Sequence, residues 1–108
     1  MFRIEADFDK AMMEIYHSAK KIGYTPSVFH GMLMQRRGVA TAKQLINATN
    51  VSEGYTRLFE LRRLDLTVEA VVYENNKWHE LFEPEEIEKC RKRLADYEYK
   101  PKTPSQPD

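Results

Sequence analysis

The stretch LRRLDLTVEAVVYE, residues 61–74, decides the fold of this protein. If it is a strand, every second residue from Leu66 to Val72 is apolar and shares one face of a sheet. The run Asn75-Asn76-Lys77 would then be a hairpin turn. This alternative predicts a winged helix-turn-helix domain with a β-hairpin over 66–82.

The same stretch also carries the features of a helix that begins at Thr67. Threonine is a good N-cap, and Glu69 would stabilise the positive end of the helix dipole. The valines at 68, 71 and 72 would share a face. The β-branched content favours the strand and the Thr-x-Glu start favours the helix, so local physics leaves both structures open.

Apolar residues at spacings of three and four predict helices on both sides of this stretch. These helices cover about 7–22, 26–36, 41–48 and 53–64, and a last one starts at Glu83-Pro84. Gly23 and Gly38 stand where the first two would end. The residues predicted to face inward include Phe8, Met12, Ile15, Ala19, Val28, Phe29, Met32, Leu33, Leu45, Ile46, Tyr55, Leu58, Phe59, Ile87, Cys90 and Leu94.

Length and composition bound the architecture. With 108 residues and 42% hydrophobic residues, the chain can build one core. We therefore predict an all-α fold, a compact bundle of five to six short helices in a single domain over 1–99. The polar, proline-rich end PKTPSQPD predicts a disordered tail over 100–108.

The chain carries the marks of a protein from a reducing compartment. Its one cysteine, Cys90, excludes an internal disulfide, which favours a cytoplasmic location. No apolar run approaches the roughly 20 residues that a membrane helix needs, and the N-terminal residues lack the apolar block of a secretory signal. We expect no membrane association.

Basic residues concentrate in the middle of the chain. Residues 36–64 hold six basic and two acidic side chains, a local charge of +4, whereas the whole chain has a formal charge of zero. The run TAKQLINATNVSEGYTRLFELRRL (41–64) has a weaker likeness to helix-turn-helix proteins, with Ser52 capping the second helix. The side chains predicted to contact DNA, if this alternative holds, are Arg36, Arg37, Thr56, Arg57 and Arg63.

A second likeness covers most of residues 7–97. The run RLDLTVE (63–69), followed by Trp78, Leu81-Phe82, Glu86-Ile87 and Arg93-Leu94, resembles a recurrent pattern in small uncharacterised bacterial proteins. The resemblance implies a bacterial or phage origin and a helical structure for 66–74, and no established activity accompanies it. Glu83 stands where that pattern has a serine or threonine cap.

No catalytic or metal-binding motif stands out in the sequence. The histidines 17, 30 and 79 lack the HxxxH or HxH spacing of metal ligands, and the glycine-rich phosphate loops are absent. Cys90 fits a buried, inert thiol better than a nucleophile. We predict a protein that is not an enzyme and needs no metal or small-molecule cofactor.

The remaining hypothesis is an interaction module. Met13 and Met34 fall outside the predicted inward stripes, and Trp78 follows a polar loop, so these three are the candidate contacts with a protein partner or a second copy. For Trp78, and for most of the methionines, core packing is the competing interpretation. A non-catalytic regulatory module is the first prediction, and a DNA-binding protein that uses residues 52–63 is the alternative.

Overall fold

Five α-helices and two short 3-10 segments succeed one another along residues 3–100, the part of the chain that this computed structural model describes. The helices are α1 (Arg3–Lys21), α2 (Ser27–Asn47), α3 (Glu53–Glu60), α4 (Val68–Glu74) and α5 (Pro84–Asp96), and the 3-10 segments are Leu64–Leu66 and Asn76–Leu81. These described residues contain no strand, so the all-α prediction is confirmed and the β-hairpin over 66–82 is wrong. The predicted tail, apart from Lys100, lies outside the described residues.

The stretch 61–74 forms a corner followed by helix α4. The Thr67 hydroxyl donates to the Leu64 carbonyl at 2.7 Å and accepts from the Ala70 amide at 3.1 Å, so it closes the corner and caps α4. Residues 67–70 are all buried, and Val72 is buried too. Because α4 is covered on several sides at once, its sequence shows no clear helical stripe, which explains why local pattern alone left a strand open.

Three helices end in the same left-handed turn, at Gly23 after α1, Arg62 after α3 and Glu98 after α5. After α3, the Arg63 amide bonds the Leu58 carbonyl at 2.8 Å and the Arg62 amide bonds that of Phe59 at 3.0 Å. This is a Schellman motif with Arg62 at φ 60°, a position where glycine is more usual. It ends α3 before the predicted boundary at 64. Gly23, at φ 93°, ends α1 in the same way, as its sequence position predicted.

Helix α2 is kinked at a single residue. Arg37 has φ 69° and ψ −176°, while its neighbours on both sides are helical. A non-glycine residue in this region carries strain of about 1–3 kcal/mol. The sequence predicted a break near Gly38 with a new helix at Thr41, and the structure shows the break with helix resuming at once.

The kink is held by α1. Asp9 Oδ1 accepts the Gly38 amide at 2.7 Å, and Asp9 Oδ2 accepts from the Arg37 guanidinium. The Arg37 side chain is 73% exposed, so its ion pair is worth about 0–1 kcal/mol and does not offset the strain alone. A Cβ on Gly38 would lie 2.8 Å from Asp9 Oδ1 and 3.0 Å from Phe8, so glycine permits the close approach of the two helices.

The main core gathers around Phe8. Its ring meets Trp78 edge-on at 5.2 Å and Phe82 at 5.5 Å between centroids. A second buried cluster joins Tyr55, Leu64, Ala70 and Leu94. The predicted stripe of α1 is confirmed in its four central members, all of which are buried: Phe8, Met12, Ile15 and Ala19.

Two residues predicted to face inward lie at the surface instead. Val28 is 80% exposed because it stands in the first turn of α2, before that helix reaches the core. Phe59 is 44% exposed and covers only the edge of Tyr97, at 4.9 Å between centroids. Both predictions of burial were wrong.

Candidate binding cleft

An apolar cleft of about 330 Å³ opens where the α1–α2 corner faces α3 and the segment before α4. Its walls are mainly the apolar side chains Ile15, Ala19, Pro26, Phe29, Met32, Leu45, Leu58, Leu66 and Val68. The corner exists because Gly23 ends α1 and Thr25-Pro26 starts the next element, so the chain turns sharply. The volume lies at the lower end of the range of ligand pockets.

The exposed Val28 belongs to the lining of this cleft. An isolated exposed valine is ordinary, but here it continues an apolar wall that already leads into the protein. The cleft and Val28 therefore form one continuous apolar surface, which we call the cleft surface.

Polar groups occupy the other side of the cleft. The polar lining residues are Tyr24, Thr25, Ser52 and Glu53. The Tyr24 hydroxyl lies close to Gly54, 3.3 Å from where a Cβ would be if that residue had one. Burial, and then the negative charge of Glu53, raise the pKa of Tyr24. The phenol thus stays protonated at neutral pH and offers a hydrogen-bond donor beside the apolar walls.

Glu69 is the buried carboxylate among the lining residues, and the fold already uses it. Its Oε2 accepts from Arg93 Nη1 at 2.9 Å, and 4% of its side chain is exposed. Burial raises the pKa of Glu69, against the opposing effect of its hydrogen bonds with its own backbone and with Arg93. A raised pKa in a cleft is a common feature of catalytic acids. Here burial causes the rise, and the ion pair with Arg93 gives Glu69 a structural role.

Arg93 and Tyr55 extend that fixed network. Arg93 also donates to the carbonyls of Leu45 and Ala48 at the end of α2, and Tyr55 donates its hydroxyl proton to the Arg93 carbonyl at 3.0 Å. Burial raises the pKa of Tyr55, and the neighbouring Glu69 raises it further. Glu69 and Tyr55 are therefore both bonded to Arg93 within the fold.

The arginines predicted to contact DNA each have a partner within the chain. Arg36 donates to Gln44, and Arg37 pairs with Asp9. Arg57 meets Glu60 at 3.4 Å and Arg63 meets Asp65 at 2.9 Å. The three pairs with carboxylates reduce the free positive charge that phosphate binding needs, whereas the neutral amide of Gln44 leaves the charge of Arg36 unchanged.

Helix α3 is placed differently from a recognition helix. Thr56 and Arg57 are exposed, as the DNA hypothesis requires, and Ser52 caps the helix by accepting the Tyr55 amide at 3.0 Å. However, α3 packs mainly on the Leu64–Leu66 segment and on Tyr97, and only sparsely on α2. In a helix-turn-helix the two helices of the motif pack on each other.

The three residues predicted to contact a partner, Met13, Met34 and Trp78, differ in their exposure. Met34 is 60% exposed, and it lines a second hollow of about 280 Å³ together with the half-buried Met13. Trp78 is buried at 6% exposure against Phe8. Core packing, the competing interpretation, is therefore correct for Trp78, which offers no surface to a partner.

The cleft surface itself was missed by sequence reasoning. Most of its walls were predicted to face inward, but periodicity cannot tell a filled interior from an open one. The available signal was Gly23 followed closely by Pro26, because they end one helix and begin the next within a few residues and so mark a sharp corner.

Outside the cleft, titratable side chains form ion pairs such as Lys43–Glu86 and Lys77–Asp7, which connect separate elements of the fold. Between residues 3 and 100 no group of three histidine, cysteine or carboxylate side chains is arranged to hold a metal ion. Cys90 is fully buried, and burial raises the pKa of its thiol. None of the helices in this range is both long and apolar enough to cross a bilayer.

No protein-family model, curated protein sequence or solved structure matches this chain. The pattern shared with small bacterial proteins thus stays an expectation, and the function has to be argued from the geometry of the site.

Proposed function

We propose that this protein is a non-catalytic interaction module whose cleft surface receives a bulky apolar side chain of a protein partner. The observation that carries the proposal is the continuity between the 330 Å³ cleft and the exposed Val28. Anchoring of one large apolar side chain in a preformed pocket is the usual energetic centre of a protein interface.

The shape of the cleft surface favours a peptide segment over a small free ligand. A free ligand would leave Val28 in water, whereas a segment with an anchor residue and a neighbouring apolar residue would cover both. The rim groups Tyr24, Ser52 and Thr25 can bond the backbone or polar side chains of such a segment. Glu53, exposed at the rim, favours a basic residue beside the anchor.

Two considerations support this function over the alternatives. The buried titratable residues at the cleft, Glu69 and Tyr55, are bonded within the fold to Arg93, which disfavours an enzyme that uses either of them as an acid or a base. Three of the four arginines predicted to contact DNA pair with carboxylates, which disfavours phosphate binding. The likeness to small bacterial proteins and the lone buried Cys90 favour a regulator in the cytoplasm of a bacterium or its phage.

The proposal is tested by selecting peptides from a displayed random library and measuring their affinity by fluorescence anisotropy. We compare the wild type with Val28→Arg, which places a charge on the cleft surface. The matched control is Met34→Arg, because Met34 is the other strongly exposed aliphatic side chain and lies outside the cleft. Both variants keep the core intact.

Val28→Arg is expected to weaken peptide binding at least tenfold, and Met34→Arg is expected to leave it unchanged. Amide shift changes on peptide addition should concentrate at residues 24–29 and 52–58. Peptides that bind both variants equally, or shift changes confined to other surfaces, would contradict the proposal.

The DNA alternative is tested separately by a salt-dependent titration with duplex DNA. Binding that falls steeply with salt and is lost in an Arg57→Ala, Arg63→Ala double variant would favour it over the interaction module. We expect no binding even at low salt, because both side chains already pair with carboxylates.

A further inference from the structure

The kink of α2 depends on one strained residue. Arg37 holds a backbone conformation that glycine adopts readily and arginine does not. The residues before and after it are helical, so no loop separates the two halves of the helix. A change of φ and ψ at this position alone would turn α2 into one straight helix of 21 residues.

The kinked form is held in place from outside α2. Asp9 of α1 accepts both the Gly38 amide and the Arg37 guanidinium, and Gly38 fits closely against Phe8. The kink therefore persists as long as α1 packs on the second half of α2. If α1 leaves, the main restraint on Arg37 leaves with it.

Straightening of α2 would carry residues 3–36 away from residues 38–100. That movement uncovers the apolar face of α1, with Phe8, Met12 and Ile15, and the core surface around Trp78 that it covered. Exposure of either apolar surface to water is unfavourable. A second copy of the chain can cover both surfaces, because its core matches the shape of α1 and its α1 matches the shape of the core.

We propose that Arg37 is the hinge of a domain-swapped dimer, in which α2 is straight and residues 3–36 of each chain pack on the core of the other. The dimer restores the α1 contacts between chains and relieves the backbone strain at both hinges. Strain at a short hinge is the usual driving force for such an exchange. This inference does not depend on the cleft surface.

The experiment compares Arg37→Ala with Arg37→Gly. Both variants remove the guanidinium and its ion pair with Asp9, so they differ only in backbone preference. Alanine disfavours the kink and favours a straight helix, whereas glycine does the opposite. Each protein is refolded at high concentration, and its dimer-to-monomer ratio is measured by size-exclusion chromatography with light scattering.

We expect a dimer-to-monomer ratio at least tenfold higher for Arg37→Ala than for Arg37→Gly. Asp9→Ala removes the acceptor that α1 provides for Gly38 and Arg37 and leaves the hinge residue itself unchanged. This variant should also raise the dimer-to-monomer ratio above that of the wild type. Equal ratios in the two Arg37 variants would overturn the proposal.

A second measurement identifies the dimer as swapped. In the monomer the rings of Phe8 and Trp78 lie 5.2 Å apart within one chain. In a dimer mixed from isotope-labelled and unlabelled Arg37→Ala chains, filtered NMR spectra should show this contact between chains. A dimer in which the contact stays within each chain would overturn the proposal.

Discussion

Arg93 of α5 donates to the Glu69 carboxylate of α4 at 2.9 Å, with 13% and 4% of the two side chains exposed. Arg93 also donates to the Leu45 carbonyl at 2.9 Å, so one guanidinium ties three helices together. Such a pair is costly to break on one side, because the remaining charge stays buried without its partner. Through Arg93, the pair holds α4 and α5 against the C-terminal part of α2.

Removal of one member of this pair should destabilise the protein strongly. Glu69→Ala or Arg93→Ala is expected to lower the free energy of unfolding by about 3–5 kcal/mol. The double variant Glu69→Ala, Arg93→Ala should lose less than the sum of the single losses, because no unpaired charge remains. Urea denaturation of the four proteins measures this coupling, and additive losses would show that the pair does not act as a unit.

The two buried threonines should respond oppositely to the same substitution. The Thr41 hydroxyl is buried and has no hydrogen-bond partner among the described residues, whereas the Thr67 hydroxyl bonds Leu64 and Ala70. Thr41→Val should stabilise the protein by about 1 kcal/mol, and Thr67→Val should destabilise it by about 1–3 kcal/mol. Thermal unfolding measures both, and destabilisation by Thr41→Val would point to a bound water at that hydroxyl.

The two glycines of α2 differ in how closely the neighbouring helix packs against them. Gly38 touches Phe8 and Asp9, while a Cβ on Gly31 would meet nothing within 4 Å. Gly38→Ala should cost about 1–3 kcal/mol because it forces α1 and α2 apart. Gly31→Ala should stabilise the protein by about 0.5–1 kcal/mol through helix propensity. Denaturant melts measure both, and equal effects would refute the close approach at Gly38.

Acid should weaken the contact that Glu86 makes with α2. Burial acts to raise the pKa of Glu86, but hydrogen bonds from Lys43, the Glu83 amide and Asn47 together hold it below its ordinary value of 4.5. A lowered pKa contributes stability that is present above the ordinary value and is lost as the pH falls through the folded-state pKa.

The stability difference between the wild type and Glu86→Gln should therefore be largest near neutral pH and shrink below about pH 4.5. Urea melts across this range measure it. Glu85→Gln is the control, because Glu85 is an exposed neighbour in the same helical turn. A difference that stays constant with pH would mean that the Glu86 charge does not contribute.

Local sequence rules identified most helix boundaries because capping is a short-range property. Ser52, Thr67 and Gly23 all act where their residue types predicted, since each needs only its own neighbours along the chain. The early end of α3 was missed, because Arg62 occupies a left-handed position that the sequence rule assigns to glycine. The predicted helix starts at about 7 and 41 were also wrong, since α1 begins at Arg3 and α2 runs through Thr41.

The sequence by itself determined the helices that flank residues 61–74 and the inward stripes of α1 and α5, because an amphipathic period of 3.6 residues is written in the order of the residues. The tertiary structure decided between strand and helix for this stretch: Val68–Glu74 is an α-helix that is buried on several sides, and its local pattern had left both structures open. It also decided the Glu69–Arg93 pair, the Asp9 cap on Gly38 and the cleft beside Val28. Each of these joins residues far apart in the chain, and their distance depends on how the helices cross.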